Sequence, residues 1–193
     1  KRVEVIKDYR FYIVSLNMLA MPSIATGVFV YQSFILSSKN WGPFVIAQSF
    51  MVYSVMSVIT LTIAGFLIDK FSSRRLLIFM NIPLFLSAVI LAKFNSEFSS
   101  FSFFAFVGIT NGLANVLGSS TWAEIYGVKF IGSIKALSTS LMVFATATGT
   151  AIFGILIDFG LTINQIAVYS SIYIASCFVI LFFVRNKLEP TYL

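Results

Sequence analysis

A short polar segment, Gly65-Phe-Leu-Ile-Asp69-Lys70-Phe-Ser-Ser-Arg74-Arg75, separates two long apolar stretches. Asp69 stands at the end of one stretch, within reach of a neighbouring helix N-terminus, where partial positive charge and free N–H groups stabilise a carboxylate. Arg74 and Arg75 can form ion pairs with acids at other helix ends. Glu124, at the end of a later apolar stretch, is the acid expected to pair with them.

Gly65 permits close contact between helices, because helix backbones approach only where side chains are small. Together with the charges it predicts a cluster that holds one side of a helix bundle shut and breaks when that side opens. The alternative is a basic loop with a helix cap. The predicted gate residues are Gly65, Asp69, Lys70, Arg74, Arg75 and Glu124.

Uncharged polar side chains inside the apolar stretches are the candidates for binding a solute by hydrogen bonds. Asn111 and Asn115 are four residues apart and share a helix face, as do Thr146 and Thr150. The same residue types also join membrane helices, with about 1 kcal/mol per hydrogen bond, so that role stays open. The candidate substrate-binding residues are Gln32, Asn111, Asn115, Asn17, Gln48, Thr146 and Thr150.

Most catalytic and metal-binding chemistry is missing from the sequence. The chain has no histidine, and its one cysteine, Cys177, lies inside an apolar stretch. No ionisable residue stands in the middle of such a stretch, where it would indicate an ion or proton pathway. The sequence therefore predicts no enzyme, no catalytic residue, no metal and no cofactor.

Composition indicates which elements position these residues. Of the 193 residues, 59% are hydrophobic and 10% are charged, and the mean hydropathy is +0.95. Soluble domains carry about 25% charged residues, so the solvent of this chain is lipid. A helix that crosses a bilayer needs about 20 apolar residues. The sequence predicts an all-α membrane protein, residues 1–193 forming one bundle with spans at about 11–37, 44–68, 76–92, 100–122, 135–157 and 162–185. A short surface helix is expected between the fourth and fifth spans, within 124–135.

The basic residues are distributed unequally between the loops. Lys39 and Lys93 fall on one side of the predicted bundle, and the other eleven Lys and Arg fall on the opposite side. This asymmetry follows the positive-inside rule and predicts that both termini are cytoplasmic. The net charge of +6 is thereby explained without a nucleic-acid partner.

A short repeat supports a transport fold. Gly65-x-Leu67-Ile68-Asp69 ends the second span, and Gly154-x-Leu156-Ile157-Asp158 ends the fifth span on the opposite side. Three crossings separate the two copies, which predicts two inverted three-helix repeats. Many secondary transporters are built in this way, with the substrate near the middle of the membrane.

The polar segment resembles the signature of the major facilitator superfamily, Gly-x-x-x-Asp-Arg/Lys-x-x-Arg-Arg. It differs in having Lys70 in place of the commoner Arg and one added residue before Arg74. The stretch Trp122–Gly127, with Gly132, Ala136-Leu137 and Gly149 to Asp158, is similar to the tenth and eleventh helices of bacterial members, and Met21-Pro22 through Tyr31-Gln32 is similar to their seventh helix.

The resemblance implies the C-terminal half of a twelve-helix carrier in a bacterial inner membrane. It implies that spans one, two, four and five line the cavity. The nearest branch is that of the monocarboxylate porters. Residues 44–64 lack the Asp and Arg of that branch, which argues against proton-coupled monocarboxylate transport.

Two functions remain. The favoured one is secondary active transport of small organic solutes by alternating access. Its partners would be a small-molecule substrate, the lipid bilayer, and either an N-terminal six-helix half or a second copy. The alternative is a six-helix membrane scaffold or interaction protein without transport.

Overall fold

A computed structural model describes residues 2–188 and the side chains of residues 5–188. The helices of this part are α1 (Arg2–Lys7), α2 (Tyr9–Val30), α3 (Gln32–Lys39), α4 (Pro43–Lys70), α5 (Ser73–Phe79), α6 (Ile82–Lys93), α7 (Glu97–Tyr126), α8 (Ile131–Asp158) and α9 (Ile163–Val184), followed by a 3-10 helix (Arg185–Lys187). Residues 1 and 189–193, to which the prediction about the termini also applies, lie outside the described residues.

Six segments are long and apolar enough to cross a membrane. They are Tyr9–Val30, Pro43–Lys70, Ser73–Lys93, Glu97–Tyr126, Ile131–Asp158 and Ile163–Lys187. The prediction of an all-α membrane protein with six transmembrane helices is confirmed.

The segment predicted as the first span, 11–37, contains a helix interruption. Its helix ends at Val30, and Tyr31, with φ −98° and ψ 24°, separates it from α3. The expected surface helix within 124–135 was wrong, since α7 continues to Tyr126 and α8 already begins at Ile131.

The third span consists of two helices, α5 and α6, with a break at Met80 and Asn81. Pro83, near the start of α6, has no N–H group to donate to the Phe79 carbonyl, so a continuous helix would lose that hydrogen bond. The break places the carboxamide of Asn81 against α2, where it donates a hydrogen bond to the Asn17 backbone oxygen at 2.7 Å.

Two helix pairs have the most extensive contacts, α4 with α7 and α2 with α8. On α7, Gly108 and Gly112 lie against the α4 backbone, and a Cβ added at Gly112 would be 2.6 Å from the Ser57 carbonyl oxygen. On α8, a Cβ at Gly149 would be 2.5 Å from the Ser23 carbonyl oxygen of α2. Glycine lets these backbones meet, as is usual between membrane helices. The third span packs against α7 and α9, and α9 also packs against α2.

Two clusters of buried apolar side chains fill the bundle, one towards each end. We name each end of the bundle after one of its residues, Glu124 or Lys39. The Glu124 end contains the start of α2, the ends of α4 and α7 and the starts of α5 and α8. The Lys39 end contains the ends of α3, α6 and α8 and the starts of α4, α7 and α9. At the Glu124 end, Trp122 is fully buried, with its ring centroid 5.0 Å from that of Phe11.

Candidate gate and binding residues

The Glu124 carboxylate lies against the start of α5. Ser72 and Ser73 each donate a hydroxyl hydrogen bond to it, and the Arg74 backbone N–H donates to Oε2 at 3.3 Å. The Arg74 Nε donates to Oε1 at 2.7 Å, which forms the ion pair expected from the sequence. Both side chains are 26% exposed, so the pair lies at the edge of the bundle, within reach of water.

The other gate candidates have different surroundings. Asp69 is exposed and forms no hydrogen bond to another described residue, so the acid that caps the neighbouring helix is Glu124 and the expectation for Asp69 was wrong. Lys70 and Arg75 are also exposed, and the Lys70 ammonium lies 5.6 Å from the ring centroid of Phe71.

The expected close packing at Gly65 was also wrong for the described residues. A Cβ added there would have no neighbouring atom within 4 Å, whereas the preceding residue, Ala64, is 1% exposed and faces the bundle. The glycines that bring α4 and α7 together are Gly108 and Gly112. Their spacing of four residues was the available signal, since small residues at that spacing share one face of a membrane helix.

Arg74 has a second partner that the sequence did not indicate. Its Nη1 donates to the backbone oxygen of Leu188 at 2.5 Å. Leu188 follows the 3-10 helix after α9 and is 1% exposed. The guanidinium therefore connects the end of α7 with the chain that follows α9.

A second acid at the Glu124 end joins α7 to the start of the chain. Asp8 caps α2 by accepting from the Arg10 backbone N–H at 2.9 Å, pairs with the Arg10 side chain at 2.7 Å, and accepts from the Tyr126 hydroxyl at 3.1 Å. Burial raises the pKa of the Asp8 carboxyl, but the hydrogen bonds from Arg10 and Tyr126 outweigh it, and the pKa lies below the ordinary 3.8. The capping pattern of Asp before an apolar helix was visible in the sequence, but the distant tyrosine was not.

The Lys39 end is held by a buried ammonium. Lys39 is 3% exposed, and its Nζ donates to the Phe94 carbonyl at 3.0 Å, to Asn95 Oδ1 at 2.7 Å and to Asn164 Oδ1 at 2.7 Å. Burial lowers the pKa of this ammonium from its ordinary value. The lysine predicted to be a loop charge therefore joins the end of α3 to the chain after α6 and to the start of α9.

Of the binding candidates, the structure brings together the two asparagines of α7. Asn111 Nδ2 donates to Ser57 Oγ on α4 at 2.7 Å, and Asn115 Nδ2 donates to the Asn111 carbonyl at 2.8 Å. Asn115 is exposed and Asn111 is half-buried. The oxygen of each carboxamide has no hydrogen bond to a described residue and is available to accept from a solute.

Asn17 lies in different surroundings. Its side chain is buried, donates to the Leu77 carbonyl at 3.4 Å and accepts from Asn81 Nδ2 at 3.0 Å. It connects α2 to the interrupted third span, the packing role that sequence reasoning left open. It is therefore placed away from any surface on which a solute could bind.

The remaining candidates lie on three other helices. The hydroxyls of Thr146 and Thr150 donate to the carbonyls of Val143, at 2.7 Å, and of Thr146, at 2.9 Å, which leaves their oxygens as acceptors. Gln32 is half-buried at the start of α3, and Gln48 is exposed near the start of α4.

Within the residues that the structure describes, no three His, Cys, Asp or Glu side chains lie together as metal ligands would. The charged chemistry at the Glu124 end is instead an ion pair between two helix termini. The chemistry along α7 and α8 is hydrogen bonding by uncharged groups.

A comparison with curated proteins finds no match. A sequence model of the Major Facilitator Superfamily matches residues 13–191, which include most of the first span and all of the other five. With six helices able to span the membrane and a match of this length, the chain belongs to the Major Facilitator Superfamily, a family of membrane transporters.

Proposed function

We propose that the chain forms the C-terminal half of a secondary transporter that moves small organic solutes by alternating access. The observation that carries this proposal is the ion pair between Arg74 and Glu124, placed where the start of α5 meets the end of α7. A gate needs a contact that forms specifically in one state and that breaks at a small cost in free energy. Partly exposed ion pairs contribute roughly 0.2–1 kcal/mol, which a bound solute can offset.

The exposed charges of the polar segment complete the proposed gate. Asp69, Lys70 and Arg75 point into open space in the described chain, as does Gly65. In a carrier with two halves, these groups are available to the other half. Their role would be to contact it in one state and release it in the other.

The pattern of helix contacts supports two inverted repeats. Exchanging spans one, two and three with spans four, five and six turns the α4–α7 contact into the α8–α2 contact. The same exchange turns the contact between the third span and α7 into that between α9 and α2, and it leaves the contact between the third span and α9 unchanged. Such a pseudo-twofold relation is typical of transporter folds.

Uncharged groups would bind the solute. Asn111, Asn115, Thr146 and Thr150 offer mainly acceptor oxygens, and Gln32 and Gln48 add carboxamides towards the Lys39 end. This inventory favours a neutral or singly charged solute with several N–H or O–H donors. Asn17 would take part only indirectly, by fixing α2 against the third span.

We further propose that the Glu124 end faces the cytoplasm of a bacterial cell, across the inner membrane. The basic residues near that end, which include Lys70, Arg75 and Lys135, support this orientation because cytoplasmic loops are rich in Lys and Arg. Treatment of intact cells with a membrane-impermeant lysine reagent should then leave Lys70 and Lys135 unmodified, whereas the exposed Lys93 should react.

The test of transport is uptake by liposomes that contain the purified protein. Radiolabelled neutral solutes, amino acids and monocarboxylates are offered one class at a time, and initial rates are measured against concentration. We expect saturable uptake of one class and its loss in Asn111→Leu, with Ser102→Ala, on an exposed face of α7, as the control. Absence of saturable uptake for every class would favour the scaffold alternative.

A further inference from the structure

We infer that the chain after α9 is part of the gate and that Leu188 is a positioning residue for Arg74. This inference rests on the proposed function of the Arg74–Glu124 pair. It adds residues 185–188, which lie outside the polar segment Gly65 to Arg75.

Two hydrogen bonds fix the guanidinium. Nε donates to Glu124 Oε1 at 2.7 Å, and Nη1 donates to the Leu188 carbonyl at 2.5 Å. A guanidinium is planar and its donors are rigidly arranged, so bonds to two acceptors set its orientation. With Glu124 as its only acceptor, the guanidinium could pivot about the hydrogen bond between Nε and Oε1. The geometry of the ion pair would then be less specific.

The Leu188 carbonyl is held in place by the side chain of the same residue. Leu188 is 1% exposed and belongs to the apolar cluster of the Glu124 end, together with Leu77, Ile78 and Leu181. The three residues before it, Arg185 to Lys187, are exposed and form the 3-10 helix that turns the chain back towards α5. A buried leucine directly after three exposed polar residues is the anchor of this turn.

The geometry has a consequence for regulation. Anything that withdraws residues 185–188 from the bundle also removes one of the two acceptors of Arg74. The open form of the Glu124 end then gains population. A partner or modification that acts on the chain after α9 would thus act on the gate.

The experiment measures whether a buried position beneath the ion pair becomes accessible. Thr121 lies one turn before Glu124 on the same face of α7, is fully buried, and has a hydroxyl without a hydrogen-bond partner among the described residues. A Thr121→Cys, Cys177→Ser protein in native membrane vesicles is treated with a maleimide, and the labelling rate is recorded. The parent protein, whose single buried Cys177 labels only when the bundle loosens as a whole, is treated in parallel.

Leu188→Ala should raise the labelling rate at position 121 by about fivefold or more, as expected for loss of a hydrogen bond to a charged group. The rate at Cys177 should stay unchanged, and Leu188→Ile should restore the parent rate at position 121. Leu84→Ala, a control that removes an equally buried leucine from the cluster of the Lys39 end, should not reproduce this selectivity. Equal increases at both cysteines, or no increase at position 121, would overturn the inference.

Two further variants separate this inference from the proposed function. Glu124→Gln should raise labelling at position 121 whether or not the tail contributes. If it does so and Leu188→Ala does not, the gate stands and the role of Leu188 is rejected. If both raise labelling but the liposomes show no uptake, the tail acts on the ion pair and the transport proposal fails.

Discussion

At the scale of single residues, Glu124 is the group on which the proposed gate depends. Glu124→Gln keeps a hydrogen-bond acceptor for Ser72 but removes the charge that pairs with Arg74. We expect the maximal uptake rate to fall by up to about fivefold, because a partly exposed ion pair of at most about 1 kcal/mol changes the population of one state by that factor. Asp158→Asn, at an exposed carboxylate at the end of α8, on the opposite end of the bundle, is the matched comparison and should leave the rate unchanged. Equal rates for Glu124→Gln and the parent would contradict the gate assignment.

Asp8 should make the Glu124 end sensitive to acid. Its folded-state pKa lies below 3.8, so its contribution to stability is fully present above the unfolded value and is lost as the pH falls through the folded value. Melting temperatures in detergent at pH 5 and pH 3 would show a larger decrease for the parent than for Asp8→Asn. A decrease of the same size in both proteins would show that other carboxylates account for the acid sensitivity.

These residues differ in how far they could be predicted. The Arg74–Glu124 pair followed from charge at two helix ends. The buried state of Lys39 did not, because its acceptors lie in segments 55 or more residues away in sequence. A backbone acceptor such as the Leu188 carbonyl leaves no trace in residue types at all.

At the scale of helices, the number and position of the spans were readable from apolar length, and the helix contacts were not. Gly65 stood beside a motif and was expected to pack, whereas the α4–α7 contact is made at Gly108 and Gly112. Every glycine in an apolar helix offers the same absence of a side chain. Which one is used depends on the face that a helix turns to its neighbour, and the low amphipathicity of membrane helices hides that face.

The α4–α7 contact provides a prediction at this scale. Gly112→Ala would place a methyl group 2.6 Å from the Ser57 carbonyl and 2.7 Å from the Thr60 Cβ, so the two helices must separate. We expect a loss of about 1–3 kcal/mol in the free energy of unfolding, measured by denaturant titration in detergent. Gly118→Ala, on the same helix with no atom within 4 Å of the added group, is the control and should be neutral or slightly stabilising. Equal stability of both variants would show that α7 can move away from α4 without cost.

At the scale of the whole molecule, the surfaces of α4 and α8 are the ones that the proposed second six-helix unit would cover. These two spans are the least buried of the six, and they expose large apolar side chains such as Phe66, 72% exposed, and Phe144, 71% exposed. Lipid can cover such residues. Gln48 on α4 and Asn115 on the neighbouring α7 are exposed as well, and lipid offers their carboxamide oxygens no hydrogen-bond donor. A second six-helix unit that encloses water against these helices would satisfy both kinds of surface.

The mass of the transporting unit tests this expectation. A carrier built from this bundle and a second one has about twice the mass of the 21.4 kDa chain, whether the second bundle belongs to the same polypeptide or to another copy. Native mass spectrometry of the protein released from its own membrane, followed by mass spectrometry after denaturation of the protein, distinguishes the two, because only a second copy separates on unfolding. If uptake persists in liposomes that contain one bundle each, the polar groups of α4, α7 and α8 must form the complete pathway. The exposed gate charges would then have no second half to contact, and Asp69→Asn should leave the uptake rate unchanged.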